Sequence, residues 1–351
     1  MGSVTGSFQS EAPLHPNAQA FLEDAFDRGW ADPSKIHQES RSANILLNEA
    51  KETLALHLGI RYDQVEFLAD PTLGFYLGIS GLLASDSHLY YSAVDRSEVF
   101  AVAGRSPSTS LPVGLDGSTQ YPSGGEGDVL AWQSANGETG VISRSPDEFL
   151  GQIFVDSTAS GELVALPQHW NAALWNSRAW EGPAGLAIFA VKDKSRWRNP
   201  LPHLEKKISS SEFSLPLALA SAIALEAHAS DYRKNLDQIK TQNTQIRSFL
   251  TREIADVDIA SKVEDTLAHL LSFSILYTDS QYLVSELDRR GFAVDSGSAC
   301  SSANMEPSHV LAAMGLLTHG NVRMNLHTAA DSSEITEFLK VLKELVLEAR
   351  A

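Results

Sequence analysis

Short β-rich runs separated by helical segments recur through the first half of the chain, and this alternation limits its fold more than any other feature. Val65–Leu68, Leu89–Ser92, Val129–Gln133, Ile153–Asp156 and Leu186–Val191 are short and mostly apolar. Helical or loop segments stand between them. Such runs fit an α/β domain whose mostly parallel sheet is covered by helices on both faces. A helix is expected from about Ser42, where Leu47, Ala50, Leu54 and Leu58 recur at helical steps and Gly59 supplies the stop. A second apolar helix follows the Asp70-Pro71 turn and runs through Leu83, while Arg105–Gly127, rich in Ser, Gly and Pro, reads as irregular surface.

The pattern changes at Leu215. A nearly uninterrupted helical stretch reaches about Ile254, long enough to carry the chain from one domain into another. Beyond it, Leu271, Phe273, Ile275 and Tyr277 alternate as a half-buried strand should. A strand at Asn321–Leu326 and an amphipathic helix with Ile335, Phe338, Leu342, Leu345 and Val346 complete a small α+β unit.

The net charge of −17 repels nucleic-acid phosphates and anionic lipid, so nucleic acid and membrane are not expected partners. No apolar run reaches the ~18 residues of a membrane span. Met1–Pro13 is polar, without the basic start and apolar core of a secretory signal, and a cytoplasmic protein is expected. The one cysteine, Cys300, rules out an intrachain disulfide and suits a reducing compartment.

That cysteine lies in the most informative segment, Ser296 to Val310 (SGSACSSANMEPSHV). Small residues flank the thiol on both sides, and Glu306-Pro307-Ser308 opens a helix. A packing thiol normally has larger apolar neighbours, whereas a thiol on a Gly/Ser loop has the exposure and mobility of a nucleophile.

The segment closely resembles the active-site loop of cysteine desulfurases of the class V aminotransferase family, whose loop cysteine takes sulfur from a substrate cysteine as a persulfide. The resemblance extends along the chain. Asp32–His37 with Arg41 looks like the family's Asn-Pro-Ser-Ser-x-His segment, Asn136–Gly140 like its Asn-Asn-Glu-x-Gly turn, and Gly182–Gly185 like the Gly-Pro-x-Gly turn after the cofactor lysine. Asp156 sits where the family pairs a carboxylate with the pyridinium nitrogen of pyridoxal phosphate. Arg323 resembles the arginine that binds the substrate carboxylate, and Asn136 is a second candidate for substrate binding. The resemblance implies fold-type I of the pyridoxal phosphate enzymes, with a mostly parallel seven-stranded sheet in the large domain, normally in a homodimer. On that template the large domain spans 16–232, and 1–15 with 233–351 form a small α+β domain carrying the cysteine loop.

Several positions depart from the family. Ala179 stands where the Schiff-base lysine is expected, and alanine cannot form an imine. The nearest lysines, Lys192 and Lys194, read as surface groups. Arg96 replaces the ring-stacking histidine, Arg178 the histidine before the lysine, and Ala159 the glutamine three residues after Asp156. Asp70–Leu73 replaces the phosphate turn, leaving Thr72 as a remnant. Pro71 has no N–H to donate, and Asp70 brings an anion. Ser209–Glu212 stands where an Arg-x-Gly-Thr segment reaches the phosphate across the dimer. No cofactor is therefore expected. Arg96, Arg178, Asp70 and Glu212 are expected to pair with one another and with Asp156, closing the pocket ionically. The alternative is that the two arginines hold a different anionic ligand.

Three functions follow. The first is a cysteine desulfurase-like pseudoenzyme that acts in sulfur transfer or iron–sulfur metabolism as a relay through Cys300 or as a partner protein. It would be a homodimer, or a heterodimer with an active paralogue, and a sulfur-acceptor protein is its other candidate partner. The second is an active pyridoxal phosphate-dependent desulfurase that holds the cofactor noncovalently or through another lysine. The third is a different enzyme in the same cleft, with Thr72, Ser177, His37 and His309 as available polar groups but no triad order or metal-ligand spacing.

Overall fold

A computed structural model describes residues 6–10, 12–28, 31–202, 213–297, 307–326 and 331–351. The chain opens with a short strand β1 (Gly6–Ser7) and helices α1 (Pro16–Arg28) and α2 (Gln38–Leu58). Helix α2 begins four residues before the expected Ser42. It ends as expected at Gly59, whose φ of 68° lets its N–H reach the Ala55 carbonyl.

Strand β2 (Val65–Leu68) leads into α3 (Pro71–Leu82), then β3 (Leu89–Ser92), α4 (Ser97–Ala103) and β4 (Ser108–Leu111). Strands β5 (Val129–Gln133), β6 (Gln152–Asp156), β7 (Ala172–Asn176) and β8 (Ala187–Val191) follow. Together they form a seven-stranded sheet in the order β2-β8-β7-β6-β5-β3-β4. Neighbours from β4 through β7 pair in parallel, and β8 is antiparallel to both β7 and β2. The sheet and its direction match the expectation. Two of its strands are not among the expected runs: β4 lies inside Arg105–Gly127, expected to be irregular, and β7 has no counterpart in the sequence pattern. An edge strand such as β4, with Thr109 and Ser110 exposed, lacks the apolar run that marks a central strand.

Apolar clusters cover both faces. On one, α1, α2 and the start of α5 (Leu215–Glu253) pack over Leu130, Trp132, Val155 and Trp175. On the other, α3 and α4 pack over Ala131, Phe154 and Leu174. Helix α3 lies very close to the sheet: a Cβ on Gly74 would collide with Leu174, and one on Gly78 with Phe154.

Helix α5 runs on into a third cluster. There, β9 (Val257–Ile259), β10 (Leu270–Ile275), α6 (Ser280–Arg289), β11 (Phe292–Ala293), α7 (His309–Met314), β12 (Asn321–Asn325) and α8 (Ser332–Ala349) complete the chain. Strand β10 is the centre of a sheet ordered β12-β10-β9, while β1 pairs in parallel with β11. Phe8, Phe292 and Phe338 meet at centroid distances of 5.5 to 6.5 Å and hold the N-terminal strand to this unit.

The expectation of a half-buried strand at Leu271–Tyr277 is corrected. All six residues of β10 are buried, and Tyr277 lies beyond the strand, exposed. Ser272 and Ser274 are buried because the Asn321 amide donates to both hydroxyls, at 3.1 and 3.3 Å. Among the described residues no helix is long and apolar enough to cross a membrane.

Candidate functional site

The carboxyl ends of adjacent parallel strands converge on one cleft, where open α/β sheets place their ligands. Arg96 follows β3, Gly137 follows β5, Asp156 ends β6, and Arg178 and Ala179 lie in a 3-10 turn, Ser177–Trp180, directly after β7. Helix α5 holds that turn in place. Ser177 donates to the Ser221 hydroxyl at 2.7 Å, and the Trp180 indole donates to the Ser221 carbonyl at 3.1 Å. Ser177 is thereby buried and structural. The cleft encloses about 300 Å³, and Arg323, from β12, lines it from the small unit.

Asp156 is buried and engaged on both oxygens. Oδ1 accepts from the N–H of Thr158 at 2.9 Å and from its hydroxyl at 2.6 Å. Oδ2 lies 3.6 Å from Nε of Arg96 in an ion pair. The residue before Arg96, Asp95, is also buried. Burial drives its carboxyl well above the usual range; an N–H from Ser92 opposes that rise, and nearby Asp156 adds to it.

On the opposite wall Arg323 pairs with Asp295 at 3.4 Å and donates to the Ser10 hydroxyl at 3.4 Å. The two residues also exchange both main-chain hydrogen bonds, so the strand fixes the arginine's direction.

Several expectations are corrected here. Among the described residues the expected network is seen where Arg96 pairs with Asp156, while Arg178 lies exposed on the rim and Asp70, also exposed, accepts from the Thr72 N–H at 2.8 Å to cap α3. The pocket is open. Glu212 lies outside the described residues. Thr72 faces a different groove, between α3 and α4, so it is no part of this cleft.

Asn136 is not placed for a ligand either. Its amide donates to the Val94 carbonyl and to Gln133, and its oxygen accepts from the Glu138 and Thr139 N–H groups and the Thr139 hydroxyl. Its amide and carbonyl are taken up in holding its own turn and tying it to the Val94 carbonyl after β3.

Lys192 and Lys194 are surface groups, bonded to the Gln168 carbonyl and to Glu66. His37 caps α2 through its backbone and is exposed.

Cys300 lies outside the described residues, but both flanks of its loop are anchored. Asn321 accepts from the Gly297 N–H at 2.7 Å. At the other flank His309 starts α7, and its Nε2 lies 2.9 Å from the main-chain carbonyl of Asp95, next to Arg96.

The sequence reading missed a cluster on the cleft wall. Nδ1 of His228, on α5, lies 2.8 Å from Oε1 of Glu162. Tyr232, one turn along, stacks on His228 at 5.7 Å, and its hydroxyl lies 3.4 Å from Nδ1 of His269. Burial lowers the His228 pKa, but the hydrogen bond and charge of Glu162, with Glu181 and Asp231, outweigh it and hold the imidazole above its ordinary value. Burial and Glu162 push the Tyr232 phenol up to about 12. Only the i, i+4 spacing of His228 and Tyr232 was available to signal this cluster. Among the described residues no group of three or more His, Cys, Asp or Glu side chains could hold a metal ion.

Comparison with known proteins fits this geometry. The family model described as Aminotransferase class-V matches residues 216–338. Cysteine desulfurase IscS of Dictyoglomus turgidum is 24% identical over 98% of this chain and 94% of its own. The IscS-like cysteine desulfurase of Mycobacterium tuberculosis is 25% identical over 96% and 95%. Among solved structures, a NifS-like protein superposes with a TM-score of 0.85 at 17% identity, covering 98% of this chain and 99% of that one. The NifS-like protein of Rickettsia africae gives 0.84.

These matches overturn the expectation that no cofactor belongs to the chain, because class V aminotransferases and cysteine desulfurases work with pyridoxal phosphate. The residues of the cleft nevertheless do not fit that group in the family's manner. No lysine is among the described residues that line it, Ala179 stands after β7, and the Asp156 carboxylate already faces Arg96.

Proposed function

Taking a cysteine desulfurase-like chain of the class V type as the premise, we propose that this protein serves sulfur transfer as a relay or partner, without lysine-dependent desulfurase chemistry of its own. The observation that carries this reading is the Arg96–Asp156 ion pair, which gives the buried carboxylate a guanidinium in place of a pyridinium nitrogen. When bound, pyridoxal phosphate supplies an electron sink for bonds at an amino-acid carbon. The cleft as described offers no amine to join it.

Cys300 is the residue proposed to carry sulfur. Its thiolate attacks the outer sulfur of a donor persulfide, the donor S–S bond breaks, and the donor leaves as a thiolate. The anchored flanks at Gly297 and His309 support a loop whose two bases are fixed. Arg323 is proposed to orient a carboxylate in the cleft. A dimer, with itself or with an active paralogue, and a sulfur-acceptor protein are the proposed partners.

A second reading, an active pyridoxal phosphate-dependent desulfurase, is favoured by the near-full-length match to cysteine desulfurases. One experiment separates the two. Protein expressed with excess pyridoxine is scanned for absorbance, assayed for sulfide release from L-cysteine, and labelled for persulfide after exposure to a small-molecule persulfide donor. The relay reading expects no sulfide from cysteine, together with a persulfide that Cys300→Ser abolishes. Cysteine-dependent sulfide with a band near ~420 nm would establish the second reading instead.

A further inference from the structure

His228, on α5, lines the cleft, whereas its partner Glu162, in the loop after β6, does not. Nδ1 of the imidazole lies 2.8 Å from the Glu162 carboxylate, and among the described residues this is the ring's one hydrogen bond. An imidazole held at Nδ1 by a carboxylate has its orientation and tautomer fixed, and Nε2 is left as its working nitrogen. Tyr232 stacks on the ring at 5.7 Å and lines the cleft beside it.

Burial favours the neutral ring, but Glu162, Glu181 and Asp231 outweigh it and hold the imidazole above its ordinary pKa. The cation, with a proton on Nε2, is therefore well populated at neutral pH. The Tyr232 phenol, pushed up to about 12 by burial and by Glu162, stays neutral and is no rival acid. Sulfur transfer has a use for such a proton. A thiolate leaves more slowly the more basic it is, and an alkyl thiol, with a pKa near ~8.5, is basic enough to gain from a positioned acid.

We propose that His228 is the proton donor to the sulfur that leaves when a small persulfide in the cleft passes its outer sulfur to Cys300. This role rests on the relay reading of Cys300. The cysteine thiolate bonds to the outer sulfur, the electron pair of the donor S–S bond stays with the inner sulfur, and the inner sulfur takes the proton from Nε2. The products are the Cys300 persulfide, a neutral thiol and a neutral imidazole still held by Glu162. Solvent returns the proton, and no oxidant or reductant enters. A cleft of about 300 Å³ suits a small donor.

The test compares two persulfide donors on the full chain at neutral pH, one built on an alkyl thiol and one on a far more acidic aryl thiol. Single-turnover formation of the Cys300 persulfide is read by mass spectrometry. His228→Gln keeps a donor for Glu162 but has no proton to give. It is expected to slow the alkyl donor at least about tenfold more than the aryl donor, because a good leaving group needs no acid. Equal slowing of both donors, or of neither, overturns the role, since a ring that only shapes the cleft treats the two alike. If the variant fails to fold, the unmodified protein is compared with glutathione in solution. Its aryl-to-alkyl rate ratio is expected to be at least about tenfold smaller than that of glutathione, and an equal ratio overturns the role. Absence of persulfide on Cys300 with both donors overturns the relay reading and this role together, whereas persulfide from both with equal slowing removes His228 alone.

Discussion

Nδ1 of His228 and Oε1 of Glu162 lie 2.8 Å apart, with side chains only 8% and 7% exposed. Two groups this far from water hold together only as a hydrogen-bonded pair, since either alone leaves an uncompensated polar group buried. The pair ties the loop after β6 to helix α5 and sets one wall of the cleft.

This pair carries a pH dependence. The folded pKa of His228 is raised above its ordinary 6.5, because Glu162, Glu181 and Asp231 outweigh burial. The protonated imidazole therefore contributes stability in full below pH 6.5, and the contribution is lost as pH rises through the folded pKa. Urea denaturation of wild type and His228→Gln should differ by about 3 kcal/mol at low pH, and by less at each higher pH. A difference that stays flat with pH would remove the protonated pair from the account.

Asn136 is expected to behave as a structural residue. Five hydrogen bonds end on its side chain. Asn136→Ala should cost about 3 kcal/mol in denaturant unfolding, with ligand affinity measured on the folded fraction unchanged. A stable variant with weakened ligand binding would return Asn136 to the substrate.

The Arg96–Asp156 pair and Ala179 predict what a reversion would do. Arg96→His combined with Ala179→Lys frees the Asp156 carboxylate and supplies an amine to the cleft. The double variant, loaded with pyridoxal phosphate, should show a band near ~420 nm that borohydride abolishes. Arg96→His alone should show none. A borohydride-sensitive band of equal strength in the unmodified protein would mean that an imine forms without position 179.

Helix α3 predicts a packing effect remote from the site. A side chain at Gly78 meets the ring of Phe154, inside the sheet's apolar cover. Gly78→Val should lower stability by about 1–3 kcal/mol in thermal unfolding. An unchanged melting temperature would mean that α3 can lift from the sheet at no cost.

The strand runs were read where apolar residues cluster, at Val129–Gln133 and its neighbours, and missed at Ser108–Leu111, where an exposed edge strand has no such run. The resemblance to cysteine desulfurases implies one site for Arg96, Asp156 and Ala179, and the sheet carries them at or just after the carboxyl ends of β3, β6 and β7. The resemblance of Asp70–Leu73 to the family's phosphate turn makes Thr72 a remnant of the same site, yet Thr72 lines the groove between α3 and α4. Periodicity places a residue on an element but not on a wall of a particular cavity.

The sequence by itself determined the alternation that makes a parallel sheet and the helix stops, because these rest on local propensity and near-neighbour spacing. Tertiary structure alone decided that Glu162 meets His228 across 66 residues and that Ser10 meets Arg323 across 313. It also decided that the Asn136 side chain turns inward, to its own loop and to the Val94 carbonyl. Such pairings are chosen by the cost of burying a charge or amide without a partner, and that cost exists only once the chain has closed around it.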